Sequence, residues 1–196
     1  MGTLLNIVKF AHILGFVFMS VPLFSLILVN ERARLGGGLN YHADRYMENI
    51  IKGNSKRCYV FQTTVLVSGI ALVLLTGLGL ESLVTNWVLA VKTILLLVLM
   101  GLLSYVHFGI QPQIENLLAQ MSPDQPIPEE IGKKIRPLRG RRKRLAALCL
   151  FIVITIVILG LQVYSTYNPV LTIVLVALAA LFAWRVYKSL IPFGWI

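Results

Sequence analysis

Charge is what this sequence has least of. Only 13% of its residues are charged, against 57% hydrophobic, where an average soluble domain carries about 25% charged residues. The deficit is uneven, with charge gathered in two connecting stretches and near the C-terminus while the rest reads as long apolar runs. That is the composition lipid imposes, because it tolerates neither charge nor unpaired backbone. No acidic residue falls inside any of these runs, which removes the carboxylate on which a proton-coupled transporter relies. There are two cysteines, Cys58 and Cys149. They lack CxxC or CxxCH spacing, so neither a zinc site nor covalent c-type haem is indicated, and they read as apolar thiols. A nucleotide-binding loop, an HExxH motif, a nucleophile with a partner base and a Met-x-Met or His-x-His cluster are all missing. The net charge of +10 is not accompanied by a recognition motif, so no nucleic-acid partner is expected.

What remains is an all-α, polytopic membrane bundle of about five transmembrane helices in a single membrane domain over residues 1–196. The spans fall at about residues 4–29, 59–80, 83–110, 145–163 and 170–187, each near the ~20 residues a bilayer requires. The first is too long for a signal-peptide core and lacks a small-x-small cleavage site, so it is expected to be retained. Arg32, Arg34, Arg45, Lys52, Lys56 and Arg57 lie between spans 1 and 2. A second basic stretch, from Lys133 to the RGRRKR run, lies between spans 3 and 4, and Arg185 and Lys188 close span 5. The 2–3 and 4–5 connections carry no Lys or Arg. The positive-inside rule therefore places both long loops and the C-terminus in the cytoplasm and the N-terminus outside.

In the first long loop, Gly36, Gly37 and Gly38 break the helix. The spacing of Tyr46, Met47, Ile50 and Ile51 then predicts a short helix on the membrane surface. In the second, Pro123, Pro126 and Pro128 exclude helix. The run at residues 139–144 then enters span 4 and reads as an anchor on anionic lipid. Span 2 holds Ser68, Gly69, Thr76, Gly77 and Gly79, small residues that permit close helix contact, and is expected to be central.

Ionisable groups inside spans are costly and commonly functional. Lys9, His12, Lys92 and His107 qualify. Lys9 lies close to the surface, where snorkelling is the default. At ~1.5 Å per residue His12 and Lys92 both sit roughly 12–14 Å below the outer boundary, so they share a level on different helices. Lys92 also has an outward alternative, pairing with Glu81. His107 lies roughly 36 Å along span 3, toward the inner face, and differs from His12 by roughly 20 Å in depth. One iron cannot be held by that pair within one chain. His12 is the candidate axial ligand, with helix packing as its alternative. Lys92 is the candidate partner, to a haem propionate or to the iron itself. His107 ranks below them as an interfacial residue. Met19, on the same face as His12 and seven residues after it, is a weaker candidate ligand that would suit copper.

These residues carry a family resemblance. KFAHILGFVF around His12, the segment ADRYMENIIKGNSKR, and VLAVKTILLLVLMGLLSYVH with Lys92, Tyr105 and His107 resemble a loose group of bacterial integral membrane proteins. The group contains the haem-dependent protoporphyrinogen oxidase family and the copper-resistance D family, and the likeness covers roughly residues 5–110. The chain departs from the oxidase pattern at Met19, Ser20, Val21, Pro22 and Leu28, and span 4 lacks that family's conserved polar segment. What the resemblance implies is a b-type haem near His12 and residence in the bacterial cytoplasmic membrane. The expected function is electron transfer or oxidation of a lipid-soluble substrate, with a membrane redox partner or a homo-oligomer. The alternative is a non-enzymatic membrane subunit or a small-solute (copper) permease.

Overall fold

The computed structural model describes residues 2–31, 41–121, 128–163, 165 and 167–189. Among these residues the chain is helical without strands. The helices are α1 (Gly2–Glu31), α2 (Tyr41–Leu75), a short α3 (Ser82–Thr85), α4 (Trp87–Ser104), α5 (Gln111–Ala119), α6 (Glu129–Leu161) and α7 (Pro169–Lys188). Between α4 and α5 the helix continues as a π-helical segment, Tyr105–Ile110. Five helices are long and apolar enough to cross a membrane. The protein is therefore an all-α polytopic membrane bundle, and its helices meet lipid.

Local chemistry explains the ends. Asn86 caps α4, its side chain accepting from the backbone N–H groups of Val88 at 3.0 Å and Leu89 at 3.3 Å, and Asn168 caps α7 through Val170 at 2.9 Å. Between spans 2 and 3 the chain turns at Gly77 and Gly79, whose φ angles of 74° and 75° suit glycine. Span 2 thus ends at Leu75 and span 3 starts at Trp87, a few residues inside the sequence-based boundaries. The π-helical widening just precedes Pro112, which has no N–H to continue the ladder and whose ring crowds the preceding turn. Hydroxyls within the spans bond back to their own helix, as Thr93 does to Leu89 and Thr155 to Phe151, both at 2.9 Å.

Three expectations are revised. The short surface helix is absorbed into α2, which runs unbroken from Tyr41. Its buried stripe is not Tyr46, Met47, Ile50 and Ile51. Ile51 is buried together with Asp44, Glu48 and Ser55, while Tyr46 is exposed. The basic run likewise belongs to one long helix, α6, that starts at Glu129 with Pro128 as its N-cap. Gly36, Gly37, Gly38, Pro123 and Pro126 lie outside the described residues. Finally, the central span is α6 rather than α2: 44% of its apolar window is buried, against 22% or 17% for each of the other four. The reason is that Gly77 and Gly79 end α2 instead of packing it, whereas α6 lies against α1, α4, α5 and α7. The α1–α2 pair forms the most extensive single helix contact. A Cβ at Gly15 would stand 3.2 Å from Thr64 Cγ2 and from Val65 Cγ2, so glycine is what lets those two helices close.

Candidate functional site

The polar groups of the bundle fall into two regions of opposite character. The first lies within the spans and is sparse. His12 on α1 faces α2, with Nδ1 2.9 Å from Ser68 Oγ. The serine hydroxyl donates to the carbonyl of Thr64. With that hydrogen committed, Nδ1–H is the donor to Ser68 Oγ, a tautomer assigned from the hydrogen-bond network. The Val65 backbone is another polar neighbour of the ring on α2. The Cε1–Nδ1 edge faces Gly69, where a Cβ would stand 3.3 Å from Cε1. Nε2 is then the ring nitrogen with a free lone pair. A neutral imidazole held by one nitrogen and open at the other is the arrangement of an oriented metal ligand.

Lys92 on α4 is the other half of this region. Its ammonium lies over α6, where a Cβ on Gly160 would stand 3.6 Å from Nζ. Lys92 makes no ion pair and no hydrogen bond among the described residues, so the alternative pairing with Glu81 is not formed. Glycines at 69 and 160 give room to the two polar side chains, a role the sequence reading had not assigned to them.

His107 and Met19 are elsewhere. His107 lies in the π-helical segment, edge-on to the rings of Tyr59 at 5.9 Å and Phe108 at 4.8 Å. Its Nδ1 is buried without a hydrogen-bond partner among the described residues. Met19 is 2% exposed and packs with Val65, Leu96, Leu99 and Val153 in the apolar core. Among the described residues no hydrogen bond joins His12, Lys92, His107 or Met19 to one another.

The second region is dense, closed and missed by sequence reasoning. Glu48 on α2 receives Arg142 at 2.8 and 3.0 Å, Arg139 Nε at 3.1 Å and Gln111 Nε2 at 3.2 Å. Arg139 also pairs with Asp44, and Arg142 donates to Gln111 Oε1 at 2.6 Å. Lys143 donates to the Ser189 carbonyl at 2.6 Å. A half-exposed pair, Lys52 with Glu115 at 3.0 Å, sits beside the cluster. The run at 139–144 is thus not a uniform lipid anchor. Arg139, Arg142 and Lys143 are buried, because carboxylates on α2 partner the two arginines and the Ser189 carbonyl accepts from Lys143. Arg141 and Arg144 remain outside, over the rings of Tyr105 at 5.3 Å and Tyr187 at 5.8 Å. The signal was in the sequence: Asp44 and Glu48 one turn apart, and Arg139 and Arg142 likewise, each pair on one face.

Among the described residues no three His, Cys, Asp or Glu side chains gather where they could hold a metal ion. No family model matches this chain, and neither a curated protein nor a solved structure shows significant similarity to it.

Proposed function

We propose that this is an integral membrane protein that binds a b-type haem. It would serve electron transfer or the oxidation of a lipid-soluble substrate. His12 Nε2 would hold the iron and Lys92 would pair with a propionate. The observation that supports the reading is an imidazole oriented through Nδ1, with no hydrogen bond at Nε2 among the described residues, together with a membrane-embedded ammonium that has no counter-ion among them.

The chemistry of the donors fits such a group. A bare metal ion needs three or four protein ligands, whereas haem brings four ring nitrogens and asks the protein for one or two. A propionate would supply the anion that Lys92 lacks in a medium where an unpaired charge is costly. When bound, the haem supplies a one-electron couple. The chain's own residues then have separate tasks. Ser68 holds the imidazole ring in one orientation and one tautomer. Gly69 and Gly160 leave space. Lys92 fixes the edge of the cofactor and, being positive, favours the more reduced state. We further propose that the basic end of the bundle is cytoplasmic and the His12 end outward, in a bacterial inner membrane, following the distribution of Lys and Arg. The outward-facing Arg141 and Arg144 remain available to anionic lipid, and a redox partner or second copy would complete electron delivery.

The test is a reduced-minus-oxidised absorption spectrum and a haem assay on the full chain purified in mild detergent. Stoichiometric haem with b-type bands is expected. A folded, colourless protein that takes up no haem on reconstitution would overturn the reading and favour the non-enzymatic subunit or permease.

A further inference from the structure

α2 turns a polar stripe toward the inside of the bundle: Asp44, Glu48, Ser55, Gln62 and Ser68 are all buried. Asp44 and Glu48 are held by arginines. Ser55 donates to the Ile51 carbonyl at 3.0 Å, and Ser68 is bonded to His12 and Thr64. Gln62 is the exception. Its side chain is 3% exposed, its Oε1 is buried, and it makes no hydrogen bond among the described residues. A buried carboxamide without partners is unfavourable, and such groups in native structures mark a missing ligand or water.

Gln62 lines a cleft bounded by α1, α2, α4 and α6 and open at its mouth. The cleft has a structural cause. α2 and α6 are not among the closely packed helix pairs. At one end they are tied through the long side chains of Glu48, Arg139 and Arg142, which hold them apart, and the gap beyond that tie is the cleft. Leu23, Leu99, Leu103 and Val153 contribute apolar walls. Water would find few polar partners there, and a buried water needs two to four. Met19, Cys58 and Cys149 also line the space, and sulfur packs favourably against aromatic rings.

We propose that this cleft binds the head of a lipid-soluble phenol or quinol. Its hydroxyl donates to Gln62 Oε1, its ring lies against the sulfur atoms, and its apolar substituent runs along the Leu and Val walls toward the bilayer. The site uses neither His12 nor Lys92, so it stands or falls separately from haem binding.

The experiment uses the full-length protein in lipid nanodiscs with a para-alkylphenol carrying a photoactivatable diazirine in its tail, and insertion sites are mapped by mass spectrometry. Insertion is expected at cleft residues of α1, α2, α4 and α6. Excess para-decylphenol should suppress it about tenfold at roughly ten times its Kd, since labelling follows the free fraction. Para-decylanisole, which keeps the ring and loses the donor, and hexadecanol, which keeps the donor and loses the ring, should compete more weakly. Gln62→Leu should weaken phenol competition by about threefold to tenfold, the worth of one hydrogen bond. That variant should unfold at the same temperature as the native chain or higher, because it removes an unpaired polar group. Insertion scattered over the lipid-facing surface would overturn the proposal. So would equal competition by the anisole or the linear alcohol, or unchanged competition in a folded Gln62→Leu protein.

Discussion

The two polar regions of this bundle contain the same kinds of groups and treat them in opposite ways. At the basic end Asp44, Glu48, Arg139, Arg142 and Gln111 meet in a mutual network, and Glu48 alone accepts from two arginines and a glutamine. Within the spans, among the described residues, one ring nitrogen of His12 makes no hydrogen bond and Lys92 has no carboxylate partner. Mutual ion pairs stabilise a fold and leave little for a ligand to satisfy. An open pair does little for the fold and leaves a ligand much to satisfy. In a membrane the contrast is sharper, since no water is present to take up an unmade bond. The basic end is therefore read as a structural tie and the His12–Lys92 level as the proposed site.

The largest expected effect comes from breaking the tie. Arg142→Ala leaves Glu48 buried and short of partners, and removing one member of a buried pair costs about 3–5 kcal/mol. Thermal unfolding in detergent should show a clear loss. In a double-mutant cycle Arg142→Ala with Glu48→Ala should cost less than the sum of the singles. Additive losses would mean that the two do not act as a unit.

The next effect moves to the sparse region. Gly69→Val places a side chain against the His12 ring, and overpacking there should cost about 1–3 kcal/mol. It should also alter the cofactor spectrum by displacing the imidazole, whereas Arg142→Ala in correctly folded protein should not. Ser68→Ala is gentler. It removes the acceptor that orients Nδ1, and loss of such an outer partner commonly costs about 10–100-fold in affinity. Haem-transfer competition would measure it. An unchanged affinity would mean that the ring is positioned by packing against Gly69 alone.

How much of this was legible beforehand differs between the regions for a physical reason. The spans were readable because lipid dictates composition segment by segment. The expectation that His12 and Lys92 share a level came from helix rise, which converts sequence position into depth. The tie was not readable in the same way. Glu48 and Arg139 are 91 residues apart in sequence, and charges beside apolar runs are read by default as lying on the membrane surface. The continuation of α2 through Tyr41 to Leu75 carries its polar stripe straight from the loop into the span. Periodicity in the loop alone favoured Tyr46 and Ile50 as the apolar face. The space that Gly160 gives Lys92 and the opening of the Gln62 cleft depend on which helices pair, and a single sequence does not fix that.

The smallest effect expected is at the rim of the tie. Lys52→Gln removes an ion pair whose lysine side chain is 47% exposed, and solvent screening holds such a pair to under about 1 kcal/mol. Its unfolding midpoint should fall close to that of the native chain. A loss comparable to Arg142→Ala would blur the line between the buried network and its surroundings.

The distinction between an open and a closed polar region is tested most directly by haem retention in His12→Ala and His107→Ala, measured side by side on folded, correctly inserted protein. Loss of bound haem in His12→Ala with retention in His107→Ala is the predicted result. A methyl group cannot replace an axial imidazole, and His107 lies away from Lys92 among the rings of Tyr59 and Phe108. An unchanged spectrum in His12→Ala together with loss in His107→Ala would contradict the account and move the site to the π-helical segment.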